Sequence, residues 1–429
     1  MVSFIGANRD QVSIMPYDLN DWLPEDHLAR FVVDIVDKMD LTQVYSVYTG
    51  KGSRPYDPKL LLSLIFYGYS TGVFSSRKIE AATYDSVAFR FIGGNHHPDH
   101  DTISSFRKRF LPQLKEWFKE ILLIGHELGL VKLGNIFIDG TKVQADASKH
   151  KAMSYKRMNQ LEQKLACEIE QLMQLAQEQD TKEDRSSIDI PEEIKRREDR
   201  LAKINTAKEV IGQRRKEAYR EEKAEFDQKQ EARKRKEEQT GKKARGRAPK
   251  EPSCLPGEKD QYNFTDPASR IMKTSKGFDQ CYNAQIAVNS DMVIVGNYAN
   301  AHHNDKQEFL PVIDSVPDEL KPQITSAVAD TGYYSQHNID GCPEHITPVI
   351  ARSREKHNNY IEELLNPTTD HQKEVYRKRK HTVEPVFGII KEVLGFRRFS
   401  FRGEENIDNE WGLVCLSYNL KRMFNLKIA

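Results

Sequence analysis

The chain has 429 residues, a charged fraction of 30% and a formal net charge of +1 at pH 7. This length allows two or three domains, and the near-zero net charge argues against a uniformly basic nucleic-acid binder, so any DNA contact must come from local patches. The absence of a long apolar run excludes a membrane span, and five scattered cysteines without a CxxC pair favour a reducing cytoplasm over a disulfide framework or a zinc site.

Short helices with apolar faces are predicted for the N-terminal part of the chain, residues 1–130. Asp57 is expected to cap the helix of DPKLLLSLIFYGYSTG, and Asp101 or Thr102 the helix that follows the loop NHHPDHDT. That last helix carries three adjacent basic residues, Arg107, Lys108 and Arg109. The arrangement resembles a helix-turn-helix DNA-binding region, and a plain helical bundle with a solvated basic face is the alternative.

The segment from residue 149 to 261 differs in composition from its surroundings, because Lys, Arg, Asp and Glu are interleaved over most of its length. Apolar residues recur in it at helical spacing: Met158, Leu161, Leu165, Ile169 and Leu172. This pattern predicts a long antiparallel helical pair or coiled coil. Its end, TGKKARGRAPKEPSCLPGEK, is predicted to be a flexible basic loop that is solvated or contacts phosphates.

The remaining segments, 131–148 and 262–429, alternate between strand and helix patterns. Without the helical insertion, the order is three strands, a helix, two strands and a helix. This is the layout of a ribonuclease-H-like α/β core, with the insertion at the exposed connection between its first and second strands.

Three acidic residues stand in distinctive positions of this layout. Asp139 in NIFIDGT and Asp330 in SAVADTGYYS each follow a short apolar run, and Glu384 in HTVEPVFGIIK lies in a helical pattern. Asp139 is expected at the end of the first strand, with the strand of Asp330 beside it. Carboxylates placed in this way are what two divalent metal ions require for in-line displacement at phosphorus. For either Asp singly, a turn or cap residue is the alternative.

Other polar residues near these acids receive more ordinary predictions. Asp305 in AHHNDKQ is expected to cap the helix that follows it. Tyr333 and Tyr334 are expected to pack or to stack on a flipped base, with packing favoured for at least one of them.

The segments IDGTKV, ADTGYYS, VEPVFGIIK and EWGLVCLSYNLKR, with SRPYDPKLLLSLIFYGYSTGVFSSRKIE in the N-terminal part, carry a family resemblance. The chain resembles bacterial insertion-sequence transposases of the DDE type, in the group with a long helical insertion after the first acid. The resemblance implies a metal-binding catalytic triad of Asp139, Asp330 and Glu384 that holds two Mg²⁺ or Mn²⁺ ions. It also implies cleavage at terminal inverted repeats, strand transfer into target DNA, a homodimer in the synaptic complex, and a place at the bacterial nucleoid.

In related transposases a Tyr, an Arg and a Lys flank the Glu in the pattern Tyr-x2-Arg-x3-Glu-x6-Lys. Lys391 fits the last spacing and, in a regular helix, shares a face with Glu384. Tyr376 and Arg379 keep their mutual spacing but stand one residue too far from Glu384. Either a helix irregularity brings Arg379 to the DNA phosphate, or Lys380 takes that role.

Pro385 directly after Glu384 bears on this mismatch, because proline is well tolerated only in the first turn of a helix. The regular helix is therefore predicted to begin near Glu384, with the basic residues in an irregular lead-in.

Two further functions stay open at this stage. One is a ribonuclease-H-like nuclease that hydrolyses DNA without joining it, and the other is a DNA-binding regulator derived from a transposase.

Overall fold

The computed structural model describes residues 18–48, 54–181, 190–240, 248–275, 277–357, 360–366 and 369–428. The start of the predicted N-terminal domain and residues 241–247 of the predicted basic loop lie outside them. The chain forms two compact units, one of Met1–Ala145 with Cys281–Ala429 and one of Asp146–Gln280. The boundaries 1–130, 131–148 with 262–429, and 149–261 stay predictions.

The first unit begins with helices joined by short turns. They are α1 (Leu28–Lys38), α2 (Thr42–Ser46), α3 (Pro58–Ser70), α4 (Ser76–Asp85), α5 (Val87–Ile92), α6 (His100–Phe110) and α7 (Leu114–Glu127). Asp57 caps α3 as predicted, accepting a hydrogen bond from the Lys59 backbone N–H. The cap of α6 is Asp99 rather than Asp101 or Thr102, because its extended backbone lets the carboxylate accept from the Thr102 N–H at 2.6 Å.

After β1 (Asn135–Gln144) the chain enters the second unit, whose elements are β2 (Ala152–Ser154), α8 (Tyr155–Thr181), α9 (Ile190–Thr240), β3 (Gln261–Asn263) and β4 (Arg270–Thr274). The two long helices pack against each other, and β2, which directly precedes α8, pairs antiparallel with β3. The core consists of residues from both helices: Met158, Leu165, Ile204, Ala207 and Ile211. A helical pair at this place agrees with the sequence pattern.

The chain returns to the first unit through a mixed sheet. Its further elements are β5 (Gly277–Val288), β6 (Ile294–Asn300), α10 (Phe309–Asp314), β7 (Ser326–Ala329), α11 (Gln336–Asp340), β8 (Thr347–His357) and β9 (Tyr360–Asn366). The strand order is β5-β1-β7-β8-β9, and β6 also pairs with β5. The β1–β7 and β7–β8 pairs are parallel, whereas β5 is antiparallel to β1 and β6.

The helix that carries Glu384, α12 (Asp370–Gly388), is continuous and contains Pro385 within it. It begins with a capping box in which Thr369 and Gln372 satisfy each other's backbone N–H groups. The prediction of a helix start near Glu384 is therefore wrong: the capping box fixes the start fourteen residues earlier. One turn of π-helix, Ile389–Val393, follows Gly388 directly.

The last helix, α13 (Glu404–Ile428), lies at the centre of the first unit and is buried around most of its circumference. Trp411 donates from Nε1 to the Gln285 carbonyl of β5 at 3.0 Å, and Ser70 of α3 donates to the Ser417 carbonyl at 2.8 Å. The N-terminal helices and the sheet therefore share one core. Within the described ranges, no helix has the length and hydropathy needed to cross a membrane.

Candidate active site

Asp139 and Asp330 lie at neighbouring positions of two parallel strands. The β1–β7 register pairs Phe137 with Val328, and β7 ends at Ala329, so Asp330 follows opposite Asp139. Asp139 does not end its strand as predicted, because the ladder with β5 continues to Gln144. From the position of Asp139 onward, β1 therefore no longer pairs with β7, and both carboxylates lie where this pairing ends.

The Asp139 side chain is only 20% exposed and has two close partners. Its Oδ1 accepts from the Gly140 N–H at 2.9 Å, and its Oδ2 accepts from Nη1 of Arg379 at 3.2 Å. Burial raises the pKa of Asp139 to about 7; the Arg379 guanidinium opposes that shift and the Asp330 carboxylate adds to it. Burial therefore outweighs the nearby guanidinium in setting the pKa of this carboxyl.

Asp330 begins a tight turn after its strand. Its carboxylate accepts from the Gly332 N–H at 2.8 Å, which starts a single 3₁₀ turn, Thr331–Tyr333. The ring of Tyr333 is fully buried and its hydroxyl donates to Oε1 of Gln285. Tyr333 therefore packs in the core. Of the two tyrosines, Tyr334 remains the candidate for stacking on a base.

Glu384 is linked to Asp139 through a single side chain, that of Arg379. The Arg379 side chain is 6% exposed and its Nη2 lies 3.5 Å from Oε1 of Glu384, which is 51% exposed. Burial opposes its charge, but the surrounding carboxylates raise the pKa of Arg379. A guanidinium therefore lies between two of the three predicted catalytic acids.

The three acids suit a hard divalent cation in chemistry, since all their donor atoms are carboxylate oxygens. Across the described residues, no group of three or more His, Cys, Asp or Glu is close enough to hold a metal ion. Arg379 provides positive charge between Asp139 and Glu384, so this position accommodates a cation. The three acids nevertheless do not surround a single point.

Lys391 lies in the π-helical turn and reaches β1 rather than Glu384. Its Nζ donates to Thr141 Oγ1 and, at 2.9 Å, to the Lys142 carbonyl. The regular-helix geometry assumed for Lys391 fails, because a π-turn has a different angular step per residue. Thr141 is two residues after Asp139 and shares its strand face, so the ammonium still lies beside the site. Burial lowers the pKa of Lys391.

Tyr376 and Lys380, the other two residues considered for the motif, differ in burial. Tyr376 is buried on the same face of α12 as Arg379, whereas Lys380 is exposed. Of the two candidates for the motif's basic position, Arg379 is the one that contacts the acids.

A polar network behind β1 was not predicted as part of the site. Asp305 Oδ1 accepts from Asn283 Nδ2 and from Gln285 Nε2, each at 2.7 Å, and lies 3.6 Å from Lys142 Nζ. The prediction that Asp305 caps a helix is wrong: α10 begins after Glu308 without a side-chain cap, and the Asp305 carboxylate is turned to β5. Two fully buried amides, Asn283 and Gln285, at alternate positions of the apolar run of residues 281–288 were the available sequence signal.

Gly140 is the residue that makes room for this network. A Cβ at position 140 would lie 2.2 Å from Gln285 Nε2 and 2.9 Å from Asp305 Oδ1. The glycine after Asp139 therefore lets the Gln285 amide cross β1 and reach both Asp305 and Tyr333.

The three basic residues of α6 do not form one surface. Arg107 donates to the Tyr69 hydroxyl at 2.8 Å and to the Phe74 carbonyl at 2.9 Å, and its guanidinium stacks on Phe401. Lys108 and Arg109 are exposed. Interior contacts thus occupy Arg107, and a DNA contact from this helix is proposed for Lys108 and Arg109 only.

Replacing Arg107 with Met is expected to lower the free energy of unfolding by about 2 kcal/mol, because the hydrogen bonds from a charged donor to Tyr69 and Phe74 are lost. Lys108→Met and Arg109→Met should change it by less than about 0.5 kcal/mol. Urea unfolding of the three variants measures the difference. If the Arg107 variant were as stable as the wild type but bound DNA more weakly, Arg107 would be assigned a DNA contact instead.

Two family models match the chain. Transposase domain (DUF772) matches residues 17–109, and Transposase DDE domain matches residues 247–420. The second range contains Asp330 and Glu384, whereas Asp139 precedes it. No curated protein and no solved structure matches the chain. Since the two models together span more than half of the sequence, the chain belongs to the insertion-sequence transposases of the DDE type.

Proposed function

We propose that Asp139, Asp330 and Glu384 form the metal-binding catalytic triad of this DNA transposase. The observation that carries the proposal is the juxtaposition of Asp139 and Asp330 on adjacent parallel strands, with Arg379 joining Asp139 to Glu384. The raised pKa of Asp139 supports it, because a buried carboxyl with a second acid beside it is typical of functional sites.

The mixed sheet serves as a ribonuclease-H-like core in this proposal. The strand order β6-β5-β1-β7-β8, antiparallel over the first three strands and parallel over the last three, supports this assignment. In such a sheet the first and fourth strands lie side by side, and the parallel pairing of β1 with β7 supports their assignment as these two strands.

The triad would hold two Mg²⁺ or Mn²⁺ ions, which supply an activated water or 3′-hydroxyl and stabilise the leaving oxygen. The chain's own residues then position the DNA. Arg379 contacts both Asp139 and Glu384, and with the ions bound its guanidinium would be available to a phosphate beside the reacting one. Lys391, fixed on Thr141, keeps a second positive charge on the same strand face.

The reaction requires two element ends in one complex, so a homodimer in a synaptic assembly is part of the proposal. Contacts to the DNA backbone are assigned to Lys380 on the exposed face of α12, and to Lys108 and Arg109 on α6. Tyr376 supports Arg379 from within the core rather than touching DNA.

The test is a supercoiled plasmid that carries the element with its terminal inverted repeats, incubated with the protein and Mg²⁺. Excised ends joined into a target plasmid are the expected products. Cleavage without joining would instead support a nuclease, and binding without cleavage would support a regulator. A reaction that proceeds fully in excess EDTA would contradict the metal-binding triad.

A further inference from the structure

The backbone pairing of β1 with β7 ends before the two aspartates are reached. The last pair of this parallel ladder is Phe137–Val328, two residues before Asp139 and Asp330. Beyond this point β1 pairs with β5, in an antiparallel ladder that continues to Gln144. At the level of the acids, the ladder therefore fixes β1 to β5, and the position of Asp330 relative to Asp139 depends on other contacts.

Gln285 of β5 lies at this level, on the other face of the sheet. It pairs with Gly140 in the antiparallel ladder, and Gly140 directly follows Asp139. Since successive side chains of a strand point to opposite faces, the Gln285 amide and the Asp139 carboxylate lie on opposite faces of the sheet. The glycine leaves room for the amide, which is fully buried against β1.

Both ends of the Gln285 amide have a hydrogen-bond partner. Its Nε2 donates to Asp305 Oδ1 at 2.7 Å, and its Oε1 accepts from the hydroxyl of Tyr333. The carboxylate accepts and the hydroxyl donates, so the two partners together fix the orientation of the amide. Asp305 Oδ1 also accepts from Asn283 Nδ2 at 2.7 Å and lies 3.6 Å from Lys142 Nζ, so residues of β1 and β5 hold the carboxylate in place.

Tyr333 connects this amide to the turn that begins at Asp330. The Tyr333 backbone N–H donates to the Asp330 carbonyl at 3.2 Å, and the Tyr333 carbonyl accepts from Asn338 Nδ2 at 2.6 Å. The Asp330 carboxylate accepts from the Gly332 N–H of the same turn. Because the turn has only three residues, the hydrogen bond from Tyr333 to Gln285 also restrains the Asp330 carboxylate.

We propose that Gln285 is a positioning residue for the transposase reaction. Through Tyr333 it sets the position of the Asp330 carboxylate relative to Asp139, and Asp305 holds the amide in the orientation that this contact requires. A fully hydrogen-bonded buried link suits the role, because it specifies one arrangement where carboxylates must be placed to within about 0.5 Å. The proposal rests on the assignment of Asp139 and Asp330 to the metal-binding triad.

The test uses two variants that break the link and one matched control. Tyr333→Phe removes only the hydroxyl that donates to Gln285, and Gln285→Met replaces the amide with an apolar side chain of similar length. In the control, Tyr418→Phe, a buried tyrosine loses the hydrogen bond from its hydroxyl to the Met292 carbonyl, at the turn between β5 and β6. Calorimetry without DNA measures the Mn²⁺ dissociation constant. Strand transfer from pre-cleaved ends is followed against DNA concentration.

Tyr333→Phe and Gln285→Met are each expected to raise the Mn²⁺ dissociation constant about tenfold and to lower the strand-transfer rate at saturating DNA about tenfold. The DNA concentration at half-maximal rate should not change, because neither residue is proposed to contact DNA. The double variant should lose little more than either single variant, since both substitutions break the same link. Tyr418→Phe should keep the wild-type metal affinity and rate.

Wild-type Mn²⁺ affinity and rate in either Tyr333→Phe or Gln285→Met would overturn the positioning role. A loss of equal size in Tyr418→Phe would also overturn it, because the effect would then follow from removing any buried hydrogen bond of the core. Asp139→Asn separates this proposal from the triad. If Asp139→Asn loses metal binding and activity while the two link variants keep both, the positioning role alone is wrong. If Asp139→Asn itself keeps both, the triad is wrong and the positioning role fails with it.

Discussion

Asp139→Asn is expected to reduce both cleavage and strand transfer by about 10³-fold or more, with DNA binding unchanged. Asn keeps the size and the hydrogen bond from Gly140, but it removes the negative charge that a divalent ion needs. The fold should persist, because Arg379 keeps its contact with Glu384. Product yield on the plasmid and affinity for the element ends measure the two effects.

A thermal shift provides a second readout that does not depend on activity. In the wild-type protein Mn²⁺ at about 100 times its dissociation constant should stabilise the fold by about 2.7 kcal/mol, and this stabilisation should be absent in Asp139→Asn. Asp314→Asn, at an exposed position on α10, is the matched control and should keep both the shift and the activity. Cleavage retained in Asp139→Asn would remove Asp139 from the triad.

The sequence was sufficient to predict the parts of the fold that depend on strong periodicity. The apolar runs before Asp139 and Asp330 form adjacent strands, as expected, because short runs of branched and small apolar residues pack on both faces of a sheet. The charged segment after β1 forms a helical pair, since its apolar spacing allows burial of one stripe only.

The details that set the geometry of the site were not predictable from local patterns. Pro385 lies within α12, because the capping box at Thr369 starts the helix early and packing of its buried face sustains it. The π-turn after Gly388 moves Lys391 out of the register that a regular helix predicts. Both depend on tertiary packing, which overrides local preference.

Contacts between residues far apart in sequence were missed for the same reason. Arg107 is predicted as one residue of a basic surface, yet its guanidinium stacks on Phe401, which is far away in the sequence. Asp305 reads as a helix cap, yet its carboxylate completes a network with two amides of β5. Local sequence patterns do not reveal such contacts, because the two partners are brought together only by the tertiary fold.

Arg379→Ala is expected to reduce strand transfer by about 10²-fold, whereas Lys380→Ala should change it by less than about threefold. The buried Arg379 guanidinium is 3.2 Å from Asp139 and 3.5 Å from Glu384, so its loss removes the group that positions both carboxylates and the positive charge proposed to contact a phosphate. Lys380 is exposed, and its contribution is confined to a phosphate contact in water. Rates on pre-cleaved element ends, at saturating protein, separate this effect from DNA affinity.

Arg379→Lys distinguishes charge from geometry at the same position. Lysine keeps the positive charge but has a single ammonium, which does not reach Asp139 and Glu384 together as the two guanidinium nitrogens do. Activity between that of the wild type and Arg379→Ala is therefore expected. The opposite ranking, with Lys380→Ala inactive and Arg379→Ala active, would assign the basic position of the motif to Lys380. It would also mean that α12 turns by about 100° about its axis when DNA binds, since one residue of an α-helix corresponds to that angle.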